Sequence, residues 1–200
     1  MTLIKDPLTG QGARVDSAGN LRTHAVAETQ ESDAAHNGDC FIASTVQGGL
    51  RTLTLAAGND YALMYLKNLS QTDLLTLMKT GIGASAAGLV IWFQKNPVEG
   101  VLANNTEVTP INRNFSSGKV ASAEAHIWDE VGTAGITGLT GGEEFAAIYA
   151  PVGGVFIPLD GSIHLGAQNS ILIGVENPTG GAIEVVLNSR FIFESLDDLA

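Results

Sequence analysis

Four histidines, His24, His36, His126 and His164, are the side chains best suited to ligate a metal or move a proton near neutral pH. A metal site on one strand wants two His and a Glu close together, and these four lie far apart in the chain. Glu124 stands two positions before His126, so the pair shares one face of a strand. A polar contact on that face is the expected outcome, and a metal ion the alternative. His164 alternates with Ile163 and Leu165 and should face outward. Glu143-Glu144 and Asp197-Asp198 are adjacent, so on a strand each pair points to opposite faces and cannot work as paired acid and base. The glycine-rich stretches 81–88 and 132–142 lack the Lys-Ser/Thr ending of a phosphate loop and read as flexible connections. No serine sits in a nucleophile-elbow pattern. Cys40 is alone, which excludes an intrachain disulfide, and it reads as a small core residue before Phe41 and Ile42. No catalytic residue, cofactor or metal site is expected.

The elements that would position any site are strands. In residues 182–194 the odd positions carry Ile183, Val185, Leu187, Ser189, Phe191 and Phe193, while Glu184, Asn188 and Arg190 fall on the even ones. A period of two with one apolar face is a strand between core and water. Ile171, Ile173 and Val175 make a second apolar row, and Asn177-Pro178-Thr179-Gly180-Gly181 supplies a turn between them. Residues 161–194 therefore read as a β-hairpin. Further strands are expected over 40–46, 51–57, 61–66, 73–79, 89–94, 120–128, 145–149, 154–159 and 162–165. Residues 61–66 are apolar on both faces, as a strand covered twice would be. Residues 97–118 read as a long connection with one short strand near 107–109, the kind of loop that serves function or subunit contact. Trp92 and Trp128 both fall in strand patterns and are expected in the core.

The front of the chain differs. Residues 1–11 read as a flexible lead, or alternatively as a short arm that orders by docking on a neighbouring subunit, and 13–26 as a small hairpin turning at Ser17-Ala18-Gly19-Asn20. Residues 28–39 are polar and acidic, either a loop or a short helix ending at Asn37-Gly38, where Gly suits the left-handed position. This gives an arm, hairpin and linker over 1–38 and a β-domain over 39–200.

The 200 residues, 44% hydrophobic and only 16% charged, can fill one core, and 24 glycines favour short strands and turns. A net charge of −11, with ten scattered Lys and Arg, argues against nucleic acid as a partner. No apolar run is long enough for a membrane span, and no secretory signal is visible at the N-terminus. About ten short strands without an amphipathic helix predict an all-β fold, a jelly-roll-like sandwich with an N-terminal arm and hairpin.

Ile4-Lys5-Asp6 leading to Ala13-Arg14-Val15-Asp16 and Asn20-Leu21-Arg22-Thr23-His24-Ala25-Val26-Ala27-Glu28, then Asp39-Cys40-Phe41-Ile42 and the run YALMYLKN at 61–68, resemble a group of tailed-phage virion proteins. Residues 166–194 are similar to the last hairpin of viral jelly-roll domains. The resemblance covers about half the chain in patches and implies a head decoration (cement) protein or another small virion component, made in the host cytoplasm and carried on the capsid surface. It also implies a homotrimer whose partners are the major capsid protein and its own copies. The residues that would grip the capsid are Leu3, Ile4, Arg14, Val15, Leu21, Arg22 and His24. A receptor- or glycan-binding domain of a tail fibre or spike is the second expectation, and a cupin-like metalloenzyme the third.

Overall fold

The computed structural model describes residues 3–5, 12–15, 21–22, 30–48, 52–86 and 88–196. Contacts divide the chain into two compact units, Met1–Gln30 and Glu31–Ala200. The first contains strands β1 (Leu3–Lys5), β2 (Gly12–Val15) and β3 (Leu21–Arg22), joined in the order β1-β2-β3. Both pairings are antiparallel, so the expected hairpin is present and the lead before it adds a third strand.

The second unit opens with helix α1 (Gln30–Asn37), followed by β4 (Cys40–Ser44), β5 (Leu53–Leu55), β6 (Asn59–Asn68), β7 (Asp73–Ala84) and β8 (Leu89–Lys95). Next come β9 (Val98–Ala103), β10 (Asn105–Glu107), β11 (Ile111–Asn112), β12 (Ala123–Trp128) and β13 (Thr137–Thr140). The chain then continues through β14 (Glu143–Ala150), β15 (Val155–Leu165), β16 (Ser170–Asn177) and β17 (Ile183–Ser195). One sheet runs β11-β4-β17-β7-β15 with β5 also on β17, and the other β10-β12-β6-β16-β8-β14. With β5 and the β9–β13 stretch set aside, the chain crosses from sheet to sheet at every step except β8 to β14, which lie side by side. The resulting orders, β4-β17-β7-β15 and β6-β16-β8-β14, are those of a jelly roll. The fold is an all-β sandwich, and β9 to β13 form one insertion between two of its neighbouring strands.

The period of two reads the faces correctly. Ile183, Val185, Leu187, Ser189 and Phe191 are all buried, facing a core shared with Leu63, Met64, Phe93 and Ile173. The expected hairpin over 161–194 is wrong, however. β16 pairs with β6 and β8, whereas β17 pairs with β4, β5 and β7, so the two strands face each other across the core. Asn177 makes the crossing: fully buried, its Nδ2 donates to the carbonyls of Leu55 (2.9 Å) and Gly181 (3.0 Å), and its Oδ1 accepts from Thr179. Asn68 brackets the crossing from β6 to β7 in the same way, donating to Asp73 (2.9 Å) and Leu165 (2.8 Å). Each amide replaces the ladder bonds that the turning backbone gives up.

Four further expectations need correction. Residues 81–84 are strand, not flexible connection, because Ile82 and Ala84 face the core and Gly81 makes room for the Phe156 ring beside it. Residues 97–118 hold three strands, and β13 lies within the glycine-rich 132–142. Trp128 is buried, but Trp92 lies on the outer face of its sheet. Its indole crosses Gly174, where a Cβ would come within 2.0 Å of the ring, and its Nε1 donates to Asp60 Oδ1 at 2.5 Å.

Helix α1 resolves the ambiguity over 28–39. Glu31 and Asp33 occupy its first turn and His36 its last, which suits the helix dipole, and Gly38 at φ +79° turns the chain out. Ala34 and Ala35 cover Cys40, Met78 and Ile192 on the outer face of the β4-β17-β7 sheet. That accounts for an apolar residue at an even position of β17.

Candidate interaction site

The paired residues Glu124 and His126 fall beside Lys67 and Tyr65, because β12 and β6 align Glu124 with Lys67 and His126 with Tyr65. His126 Nε2 lies 2.8 Å from Glu124 Oε1, and its Nδ1 2.7 Å from Asn105 Oδ1. Lys67 Nζ donates to Glu99 Oε2 at 2.8 Å and sits 3.8 Å from Glu124 Oε2. Tyr65 donates to the same Glu99 oxygen at 3.3 Å. Glu99 belongs to β9, so the cluster ties the insertion to the sheet. The hydrogen bond from Lys67 holds the Glu99 carboxyl below its ordinary range, and the same bond raises Lys67. Burial pushes the Tyr65 phenol up. A depression of about 300 Å³ opens beside it, bounded by Tyr65, Lys67, Pro97, Glu99 and Ser170. Glu99 Oε2, Glu124, His126, Tyr65 and Lys67 are tied to one another or to Asn105. Among the described residues no group of three or more His, Cys, Asp or Glu is placed to hold a metal.

His164 has an exposed ring, and its Nδ1 meets the buried Thr76 hydroxyl at 2.8 Å. Thr76 Oγ1 also donates to Glu194 Oε2. A nucleophile relay needs the carboxylate on the far nitrogen of the imidazole, whereas here Glu194 reaches the hydroxyl and the same Nδ1. The contact fastens β15 and β17 to β7. Cys40 is fully buried, and burial raises its thiol above the ordinary value, the opposite of what a reactive cysteine needs.

The residues expected to grip a partner lie in the first unit. Its ladder places Leu3 opposite Arg14, Ile4 opposite Ala13, Val15 opposite Leu21 and Arg14 opposite Arg22. His24 lies outside the described residues.

The segment from β11 to β12 begins within the 97–118 connection that the sequence marks for function or subunit contact, and the structure shows which residues it presents. Asn112 Nδ2 donates to the carbonyls of Gly38 (2.7 Å) and Lys119 (3.1 Å), while its Oδ1 accepts from the Asn114 amide (2.8 Å). Asn114 in turn donates to the His36 carbonyl and caps the Ser116 amide. Lys119 pairs with Asp39 at 2.7 Å, and Arg113 with Glu31. At the tip of this braced loop Phe115 is 90% exposed, with Ile111 (47%) and Val120 (74%) at its flanks. The clue in the sequence is the spacing of Asn112, Asn114 and Ser117, side chains that cap backbone amides two residues on.

No family model matches the chain, and no curated protein matches it. Among solved structures it is similar to T=1 particles derived from infectious bursal virus, at 17% identity and TM-score 0.22, over 80% of this chain and 41% of that one. It is also similar to infectious bursal disease virus of the Gt strain (19% identity, TM-score 0.15, 75% and 42% covered) and of the Gx strain (14%, 0.15, 80% and 42%). The chain spans about two-fifths of the length of each. The jelly-roll assignment rests on the strand order and not on these likenesses.

Proposed function

We propose that the chain is a structural virion protein that binds and stabilises a phage capsid lattice as a decoration protein, as a homotrimer and without catalysis. The observation that carries this is the division into a small ribbon and a braced sandwich. The ribbon's ladder sets Arg14 opposite Arg22 and beside Leu3. The jelly roll supplies a rigid body by fold-level analogy with virion proteins. Deleting residues 1–26 is expected to leave a body with unchanged circular dichroism that no longer co-sediments with capsid shells. Unchanged co-sedimentation would overturn the role of the arm.

A second reading, a receptor- or glycan-binding domain, is favoured by the placement of Trp92. Its ring lies along the outer sheet face, with Asp60 at its edge and the 77% exposed Tyr149 on the neighbouring strand. Aromatic faces beside a carboxylate suit a sugar ring. A defined hit on a glycan array that Trp92→Ala abolishes would favour this reading over decoration.

A further inference from the structure

We infer that copies of this chain join by inserting Phe115 of one copy into a depression on the next, formed by Phe41, Phe193, Val120 and Ser122. This rests on the homo-oligomeric virion reading and names the contact that would build the oligomer. The depression measures about 240 Å³, and a cavity of about 150 Å³ is enough for benzene. Its aromatic wall belongs to a trio: Phe41 and Phe193 meet edge-to-face at 5.7 Å, Phe191 stacks on Phe41 at 5.9 Å, and Phe191 meets Phe193 edge-to-face at 6.0 Å. Phe191 and Phe41 are buried beneath and support the partly exposed Phe193, the ring an incoming phenyl would meet. Phe115 does not fill the depression of its own copy, since its ring is 90% exposed.

A second copy is the occupant because one chain carries both an exposed phenyl knob and an aromatic-floored hole, and two features suit the approach. The first is charge. Two molecules of net charge −11 repel wherever carboxylates meet. On this face the cations flanking Phe115 are matched within the chain, Arg113 by Glu31 and Lys119 by Asp39 at 2.7 Å. Asp39 and Lys119 also rim the depression, so that pair is matched where the knob would enter, and Asp73, which accepts from the Ser70 hydroxyl at 2.7 Å, is the rim carboxylate not paired with a cation. The second is preorganisation. The hydrogen bonds of Asn112, Asn114 and Lys119 fix the loop before binding, so little freedom is lost when Phe115 enters a pocket.

The test uses the full chain in solution, without capsids. Light scattering and sedimentation over a concentration series should show association for the native chain. Phe115→Ser should weaken it by roughly ten- to a hundredfold. Ser122→Trp, which fills the depression and leaves Phe115 in place, should do the same. Mixing the two variants should restore a heterodimer, because one intact knob meets one intact hole. That rescue cannot arise if either substitution merely unfolds the chain. A native chain that stays monomeric, a Phe115→Ser chain that associates normally, or a mixture without rescue would each overturn the inference. Capsid co-sedimentation reads the decoration role separately: a monomeric chain that still binds shells through residues 1–26 defeats this contact alone.

Discussion

Two regions of the sandwich are dense in polar contacts and use them to opposite ends. Around Lys67, the side chains of Glu99, Glu124, His126 and Tyr65 turn toward one another and clamp the insertion onto the sheet. In the loop from β11 to β12, Asn112, Asn114 and Lys119 bond to the helix and to the start of β4, and the loop carries its largest apolar side chain outward. The first network closes a surface and the second presents one. Polar density alone therefore does not locate a functional site. What distinguishes the two is where the apolar residues held by the network end up.

The clamp is most sharply broken at its far end. Gly135 sits at φ +79° beside Ala62, where a Cβ would lie 2.2 Å from the Ala62 carbonyl oxygen, and the amide of Ile136 donates to that carbonyl at 2.8 Å. Gly135→Ala should cost about 3 kcal/mol or more in chemical denaturation, since it adds a clash to a strained backbone. Asn112→Ala should cost less, about 1–2 kcal/mol, through three lost hydrogen bonds at a partly exposed site. Its larger effect should be on self-association, with Phe115 still present but no longer fixed. If Asn112→Ala associates as the native chain does, the loop is not a presenting device.

The smallest effect is electrostatic. Glu99 lies below its ordinary value, so its stabilisation is complete above the unfolded glutamate range and is lost as pH falls through the lowered folded value. Lys67 is raised, so its contribution is complete below the unfolded lysine range and is lost as pH rises through the raised folded value. The pair is therefore worth most between those limits, by no more than about 1 kcal/mol at a partly exposed site. Glu99→Gln should flatten the acid limb of a stability-against-pH curve. An unchanged limb would show that the clamp does not depend on this pair.

Much of the sandwich is legible in the sequence, because alternation records which side chains face a core. Ile183 to Phe191 and the doubly apolar 61–66 show this directly. Alternation does not record which strand lies alongside, which is why β16 and β17 read as a hairpin although they belong to opposite sheets. The difference lies in the buried side-chain amide of Asn177, and an Asn-Pro-Thr-Gly-Gly stretch fits a tight turn and a crossing equally well. The pairing of Glu124 with His126 is legible from spacing. Their partners Lys67 and Glu99 are not, since strand neighbours bring them together from distant parts of the chain. Trp92 reads as core because tryptophan on a strand is usually buried, and the glycine that lets it lie outside stands on another strand.

The placement of β17 also bears on how the molecule is made. It lies between β4 and β7, and one of its side-chain bonds, Ser44 to Asn188, spans 144 residues. During synthesis β4 and β7 emerge long before the strand that separates them, so each waits with an unpaired edge. Contacts this distant in sequence make folding slow and leave intermediates prone to pair with the wrong chain. Assembly of the sheet is therefore a late event, and conditions that delay or remove β17 should yield aggregate before they yield a loosened monomer.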